Sequence, residues 1–385
     1  MSGPATHQPD GRPRGRGLGL PFPGETGPTN SIVDVAGVEV GAVTLVRGDG
    51  RLAVGRGPVR TGVTAILPRG RAGFATPVFA GLHSLNGNGE MTGSHWILES
   101  GRCEGPVTIT NTHSVGRAHA ASVRWLVGQA GPGVTDPDWN LPVAAETYDG
   151  YLNDINGFHV TEDDVVAAID GASAGFPPLG NRGGGTGMIC YQFKGGNGSA
   201  SRLVGAGGRR WTLAAFVQAN FGRRELFAPL GVPAGRLLEV PLPGPLPGPL
   251  PGSGAPAGGA EGSIIVVVAT DAPLLPHQCA RVARRVSLGL ARTGSIASNG
   301  SGDIFLAFST ANAEALSAPE DEPGRLDYLP DAALDPLFEA TVQATEEAIL
   351  EALLAADTMT GIDGRTVHAL PHGALVDVMR RFGRI

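Results

Sequence analysis

Gly262-Ser263-Ile264-Ile265-Val266-Val267-Val268-Ala269-Thr270 is the stretch on which the reading of this chain turns. The run 264–269 is apolar throughout and rich in β-branched residues, which favour extended backbone; with no polar alternation it reads as a strand covered on both faces. Immediately before it, residues 241–262 read PLPGPLPGPLPGSGAPAGGAEG, the composition of an exposed connector. Two explanations fit such a junction. In one, a linker simply ends where a buried strand begins. In the other, the chain cuts itself between Gly262 and Ser263, because a small flexible residue lets the serine hydroxyl approach the carbonyl that precedes it. Ser263 would then become an N-terminal residue. A free α-amino group has a reference pKa of about 7.7–8.0, so roughly a tenth is unprotonated at neutral pH, against well under a thousandth for a lysine near 10.4. Nucleophile and general base would sit on one residue.

Neighbouring segments supply groups for that chemistry. Asn299-Gly300-Ser301-Gly302-Asp303 leads into a strand at 304–308 and sets a hydroxyl and a carboxylate two positions apart, on one side of an extended chain. They could hold a free amine and pass protons; the same residues also make a common turn. Gln218-Ala219-Asn220-Phe221-Gly222 ends an apolar strand at 211–219 with an amide suited to donating to an oxyanion. Glu146-Thr147-Tyr148-Asp149-Gly150 likewise places a phenol and a carboxylate at a strand end.

Further strands are expected at 32–46, 63–67, 107–112 and 187–193, and helices at 117–128, at 162–169 behind an N-cap at Thr161, at 276–292 and at 336–355. The last has Leu337, Val342, Ile349, Leu350, Leu353 and Leu354 at roughly helical spacing with Glu339, Glu346 and Glu351 elsewhere, and reads as a one-sided cover for a sheet. The whole is an α/β protein. Residues 1–29, rich in Pro, Gly and Arg, read as a flexible N-terminal arm; they contain no apolar segment of the kind a secretory signal needs, so a cytoplasmic location is expected. The glycine runs at 183–187 and 195–198 either turn backbone N–H groups toward a substrate or serve tight turns.

Composition removes several classes of function. With 385 residues, 42% hydrophobic and 17% charged, the chain can close a large core, yet its longest strongly apolar run is far short of a membrane span. A net charge of -7 offers no basic footprint for nucleic acid. Cys103, Cys190 and Cys279 are far apart in sequence, which suits reduced thiols better than a disulfide framework or a zinc ribbon. Lys194, the only lysine, is followed by Gly195 where a phosphate loop needs Ser or Thr, so it reads as structural or substrate-facing. Gly171-Ala172-Ser173-Ala174-Gly175 matches a nucleophile-elbow pattern but follows a helix instead of a strand. His368 and His372 are separated by Pro371, which argues against a shared metal-binding helical face. No metal or organic cofactor is expected.

With these residues in view, the sequence resembles the L-aminopeptidase D-amidase/esterases and the β-aminopeptidases, self-processing N-terminal-nucleophile hydrolases. The resemblance runs from Arg16-Gly17-Leu18-Gly19-Leu20-Pro21-Phe22 and Asn30-Ser31-Ile32-Val33-Asp34-Val35 to Met359-Thr360-Gly361, and is most specific at 262–277. It implies a four-layer αββα sandwich: one hydrolase domain, 30–385, cut into a large chain, 30–262, and a small chain, 263–385, and usually assembled as a homotetramer. It also implies that Ser263 is the nucleophile, that Ser301 and Asp303 lie beside it, that Asn220 belongs to the oxyanion hole, that Tyr148 faces the reacting carbonyl and that Glu146 adjoins the same site. Leu85-Asn86-Gly87-Asn88-Gly89-Glu90-Met91-Thr92-Gly93 resembles a substrate-pocket loop. Departures are Asp303, where some relatives carry Glu; Ala42, where relatives often carry His; and the long, proline-rich connector. The implied activity is removal of a small N-terminal residue from short peptides, amino-acid amides or esters through a serine acyl-enzyme. Two alternatives stay open: an acyltransferase of the same fold like the ornithine acetyltransferases, in which threonine would be expected at 263, and a binding protein that never cuts itself.

Overall fold

Alternate residues of the 264–269 run face two different cores, which is why the run carries no polar alternation. Ile265, Val267 and Ala269 pack in one buried cluster and Ile264, Val266 and Val268 in another, as a strand with a side-chain period of two requires when both faces are covered. The computed structural model describes residue 3 and residues 5–129, 139–244, 262–317 and 323–385. Most of the connector expected at 241–262 lies outside these residues.

Among them run strands β1 (Glu39–Arg47), β2 (Val59–Leu67), β3 (Val78–Gly87), β4 (Arg102–Cys103), β5 (Val107–Asn111), β6 (Val143–Thr147), β7 (Ile189–Cys190), β8 (Phe193–Lys194), β9 (Gly196–Ala206), β10 (Arg209–Asn220), β11 (Ser263–Thr270) and β12 (Gly302–Ser309). Helices include α1 (Ser94–Ser100), α2 (Val115–Gln129), α3 (Glu162–Asp170), α4 (Pro276–Arg292), α5 (Ala313–Leu316) and α6 (Asp335–Leu354). One sheet has the order β1-β2-β5-β6 and the other β4-β3-β12-β11-β10-β9. The β5/β6 and β11/β12 pairs are parallel; the remaining pairs within the two sheets are antiparallel.

Three cores separate four layers. Val63, Ala65 and Leu67 of the smaller sheet pack with Ala118 and Trp125 of α2 and Val165 and Ile169 of α3. Its opposite face sets Val40, Ile66, Ile109 and Val143 against Phe216, Ile265, Val267 and Leu306 of the larger sheet. Beyond that sheet, Val217, Val266, Val268 and Phe305 meet Val282 and Val286 of α4 and Ile349 and Leu353 of α6. The molecule is thus an α/β sandwich with helices outside two facing sheets. Each fully buried Val or Ile contributes about 1.5–3 kcal/mol, so these interfaces hold the strand ends in place.

Several expectations are corrected. From residue 5 onward the segment expected to be a flexible arm at 1–29 lies on the protein, with Leu20 and Phe22 in the core and Arg14 buried against Glu351 of α6 at 3.1 Å. Arg16 and Arg202 both reach Glu347, at 2.8 and 2.6 Å. Hence α6 is not one-sided; Glu346, Glu347 and Glu351 are buried, with arginine partners instead of water. The stretch 32–46 divides into a 3-10 turn at Ile32–Asp34 and β1. The stretch 187–193 is a tight β7/β8 hairpin with Tyr191 and Gln192 at positive φ, 50° and 59°. Both glycine runs are buried packing positions: a Cβ on Gly198 would lie 1.9 Å from the Ala348 carbonyl oxygen of α6, and one on Gly184 would lie 2.1 Å from Gln218 Oε1.

Candidate active site

Strand ends from both sheets converge on Ser263. In the larger sheet, Ser263 opens β11 opposite Asn220, the last residue of β10, and on the other side Ile264 pairs with Asp303 of β12. The end of β3 completes the edge, with Gly87 opposite Gly302 and Asn86 opposite Asp303. Ser263 is buried, and its Oγ accepts a hydrogen bond from Gly302 N–H at 3.3 Å. Residue 302 must be glycine for this approach, because a Cβ there would sit 2.3 Å from the Asn88 carbonyl oxygen.

On β12 and in the turn before it, Ser301 Oγ donates to Asp303 Oδ1 at 2.6 Å, and Asn86 Nδ2 reaches Asp303 Oδ2 at 3.4 Å. Burial raises the Asp303 pKa, against hydrogen bonds from Ser301, Asn86 and the Ile264 N–H that favour the carboxylate. This acid is the β12 register partner of Ile264, the residue that follows Ser263 in β11.

Asn220 is clamped at both ends of its amide. Ile189 N–H donates to its Oδ1 at 2.8 Å, and its Nδ2 donates to the Tyr148 carbonyl at 2.9 Å. One donor and one acceptor fix which end is nitrogen, and no other described residue takes the second Nδ2–H. Gly262 lies directly against this group: a Cβ on it would be 1.6 Å from the Asn220 carbonyl oxygen and 3.2 Å from Nδ2. The peptide before Ser263 therefore runs past a fixed amide donor.

The smaller sheet contributes Glu146, near the end of β6, and Tyr148 just beyond it. Glu146 is buried; its Oε1 accepts from Glu90 N–H at 3.0 Å, its Oε2 accepts from the Thr112 hydroxyl, and burial raises its pKa. A Cβ on Gly89 would lie 3.2 Å from Glu146 Oε1 and 3.5 Å from Gly302 Cα, so the 85–93 loop sits between Glu146 and the Ser263 neighbourhood. That loop is tied down by Asn88 Nδ2, which donates to the Gly300 carbonyl at 2.5 Å. Tyr148 is 45% exposed; burial of the rest raises its phenol pKa.

The structure thus gathers Ser263, Asn220, Ser301 and Asp303 directly, and brings in Tyr148 through its carbonyl and Glu146 through the 85–93 loop. Ser173 is remote in kind as well as pattern, bridging to Val40 after α3 with no strand leading into it. Lys194 is buried and does not face a substrate. Two participants escaped the sequence reading, the Ile189 N–H and the Gly302 N–H. Backbone donors leave no residue-type signature, although the glycine between Ser301 and Asp303 was a visible sign for the second. No group of three or more His, Cys, Asp or Glu among the described residues is arranged to hold a metal ion.

Residues 30–367 match the pattern of peptidase family S58. The chain belongs to that family. It is 50% identical over 377 residues to the beta-peptidyl aminopeptidase BapA of Sphingosinicella microcystinivorans, covering 97% of this chain and 93% of that one. Among solved structures, the L-aminopeptidase D-Ala-esterase/amidase of Ochrobactrum anthropi, described as a prototype serine aminopeptidase and a variant of the Ntn hydrolase fold, superposes with a TM-score of 0.87 at 48% identity, covering 97% of this chain and 99% of that one. A Burkholderia sp. beta-aminopeptidase gives a TM-score of 0.84 at 42% identity over 96% of this chain and 99% of that one. The S58 chain described here is therefore an α/β protein of the Ntn-hydrolase type and a peptidase of an aminopeptidase family. No helix among its described residues is long and apolar enough to cross a membrane.

Proposed function

We propose that this S58 peptidase cuts itself between Gly262 and Ser263 and then, through the N-terminal serine so formed, removes small N-terminal residues from short peptides, amino-acid amides or esters. The observation that carries the reading is the placement of the Ser263 hydroxyl, held by Gly302 N–H at one end of the sheet with the clamped Asn220 amide as its cross-strand neighbour.

In maturation, Ser263 Oγ attacks the Gly262 carbonyl and the peptide C–N bond breaks, leaving an ester and a free α-amine. Water then releases the Gly262 carboxylate. In turnover, the α-amine takes the proton of Oγ as Oγ attacks the substrate carbonyl, and Asn220 Nδ2–H donates to the developing oxyanion. The amine returns its proton to the departing amine or alcohol, and water hydrolyses the acyl-enzyme by the same route. Asp303, with Ser301, faces the new ammonium and balances its charge. Tyr148 borders the reacting carbonyl, and Glu146 with the 85–93 loop borders the bound residue. The names of the relatives, which speak of β-peptides, L-amino acids and D-Ala esters, support an N-terminal residue as the recognised part. We extend the proposal to a cytoplasmic homotetramer of cleaved heterodimers.

The experiment is hydrolysis of the p-nitroanilides of L-alanine, D-alanine and β-alanine, with a mass search for an acyl group on the peptide that begins at Ser263. Nitroaniline release with transient acylation there is expected. Equal turnover by Ser263→Ala would overturn the reading.

A further inference from the structure

We propose that Lys194 is a positioning residue for the Asn220 amide, acting through the peptide that joins Met188 to Ile189. The inference rests on the reading of Asn220 as an oxyanion donor.

Lys194, at the end of β8, is the chain's only lysine and is wholly buried. Its Nζ donates to the Met188 carbonyl at 2.6 Å and the Gly195 carbonyl at 2.9 Å, with the Gly185 carbonyl at 3.4 Å. No ion pair joins it to a carboxylate among the described residues. An ammonium held only by peptide carbonyls is a costly way to fill a core, where a Met side chain would occupy similar space without a charge to desolvate. Burial accordingly lowers its pKa to about 7, with Cys190 and Asp149 acting in the opposite direction.

The direction of its bonds gives the charge a use. Met188 O and Ile189 N belong to one planar, conjugated peptide unit. Lys194 polarises that unit at its oxygen, and the same unit donates its N–H to Asn220 Oδ1 at 2.8 Å. The Asn220 amide is conjugated too, so density drawn toward Oδ1 strengthens its Nδ2–H as a donor. From Nζ to Met188 O, from Ile189 N–H to Oδ1 and out through Nδ2–H, every donor points the same way, the arrangement in which hydrogen bonds reinforce one another. An Nζ–H donor, charged when protonated, stands at the inner end and a developing negative charge at the outer one. No proton moves along the series; it sets the orientation and the strength of the amide.

The test compares the full-length protein with Lys194→Met, which keeps bulk and removes charge and donor, Lys194→Gln, which keeps a neutral donor, Asn220→Ala, and the double variant Lys194→Met/Asn220→Ala. The readouts are the rate of chain cleavage, kcat and KM of the cleaved fraction on L-alanine p-nitroanilide, and Tm. We expect Lys194→Met to fold and to lose on the order of tenfold in kcat with little change in KM, Lys194→Gln to recover part of that loss, and the double variant to be no slower than Asn220→Ala alone. Full kcat in Lys194→Met beside a slow Asn220→Ala would overturn the role of Lys194 and leave the proposed function standing. So would losses that multiply in the double variant, or failure of both Lys194 variants to fold while Asn220→Ala folds, either of which makes Lys194 a residue of the core only. Wild-type turnover in Asn220→Ala would instead remove the oxyanion assignment, and this proposal with it.

Discussion

Asn220 and Ser263 are direct cross-strand partners at the end of the antiparallel β10/β11 pair. Their side chains belong to residues far apart in sequence, yet the register of two buried strands fixes their relation. The clamp on Asn220 is two-sided, through Ile189 N–H and the Tyr148 carbonyl.

Removing the donor while keeping the strand should separate binding from chemistry. Asn220→Ala is expected to lower kcat on the order of a hundredfold or more, as loss of an oxyanion donor does elsewhere, with a much smaller change in KM. Steady-state kinetics on an alanine p-nitroanilide checks this.

Residue 262 has no room for a side chain, since its Cβ would fall 1.6 Å from a backbone oxygen that the sheet holds in place. Gly262→Ala must therefore displace the peptide to be cut from its neighbours. We expect its self-cleavage to slow by about a hundredfold, the scale of a misplacement near 1 Å, while molecules that do mature turn over normally. Timed gel analysis after synthesis, followed by kinetics on the cleaved fraction, reads both.

Asp149, next to Tyr148, is fully buried, and burial raises its pKa from 3.8 to about 7. Between those values the folded state holds a proton that the unfolded chain has lost, so the contribution of this group to stability is present at low pH and disappears as pH rises through about 7. Asp149→Asn removes the titration. Its Tm relative to wild type should rise by roughly a few degrees between pH 5 and pH 8; a constant difference would contradict the burial argument.

Glu351 faces Arg14 inside the protein at 3.1 Å with both side chains buried. Glu351→Ala removes the buried carboxylate that pairs with this guanidinium, and should cost about 3–5 kcal/mol in urea unfolding. A loss under about 1 kcal/mol would mean that the N-terminal segment contributes little to the fold.

What could be read in the sequence follows physical lines. β11, α4 and β12 were legible because their patterns are local: an unbroken β-branched run, a helix opened by Pro276, and a second apolar run. The turn Asn299 to Asp303 was legible as a place where Ser301 and Asp303 could hold the Ser263 amine, but that Asn220 at the end of β10 joins the same site came from the family resemblance, since register between distant strands has no sequence signal. β9 was missed because Gly196-Asn197-Gly198-Ser199-Ala200-Ser201 has neither apolar alternation nor bulk; Gly198 lets α6 approach, and Gly196 lies against the Gly180 carbonyl. The N-terminal segment was misread because Arg14 and Arg16 look like solvated charges until their partners Glu351 and Glu347, more than three hundred residues away, are placed beside them. Lys194 was open between structural and substrate-facing, and only its carbonyl partners decide between them.

Whether Ser263 becomes an N-terminal residue is read by intact mass spectrometry under denaturing conditions, on wild type and on Ser263→Ala. Two wild-type fragments that meet between Gly262 and Ser263 are expected, beside a single uncut Ser263→Ala chain. A wild-type chain that stays whole at 39.3 kDa on prolonged incubation would contradict it.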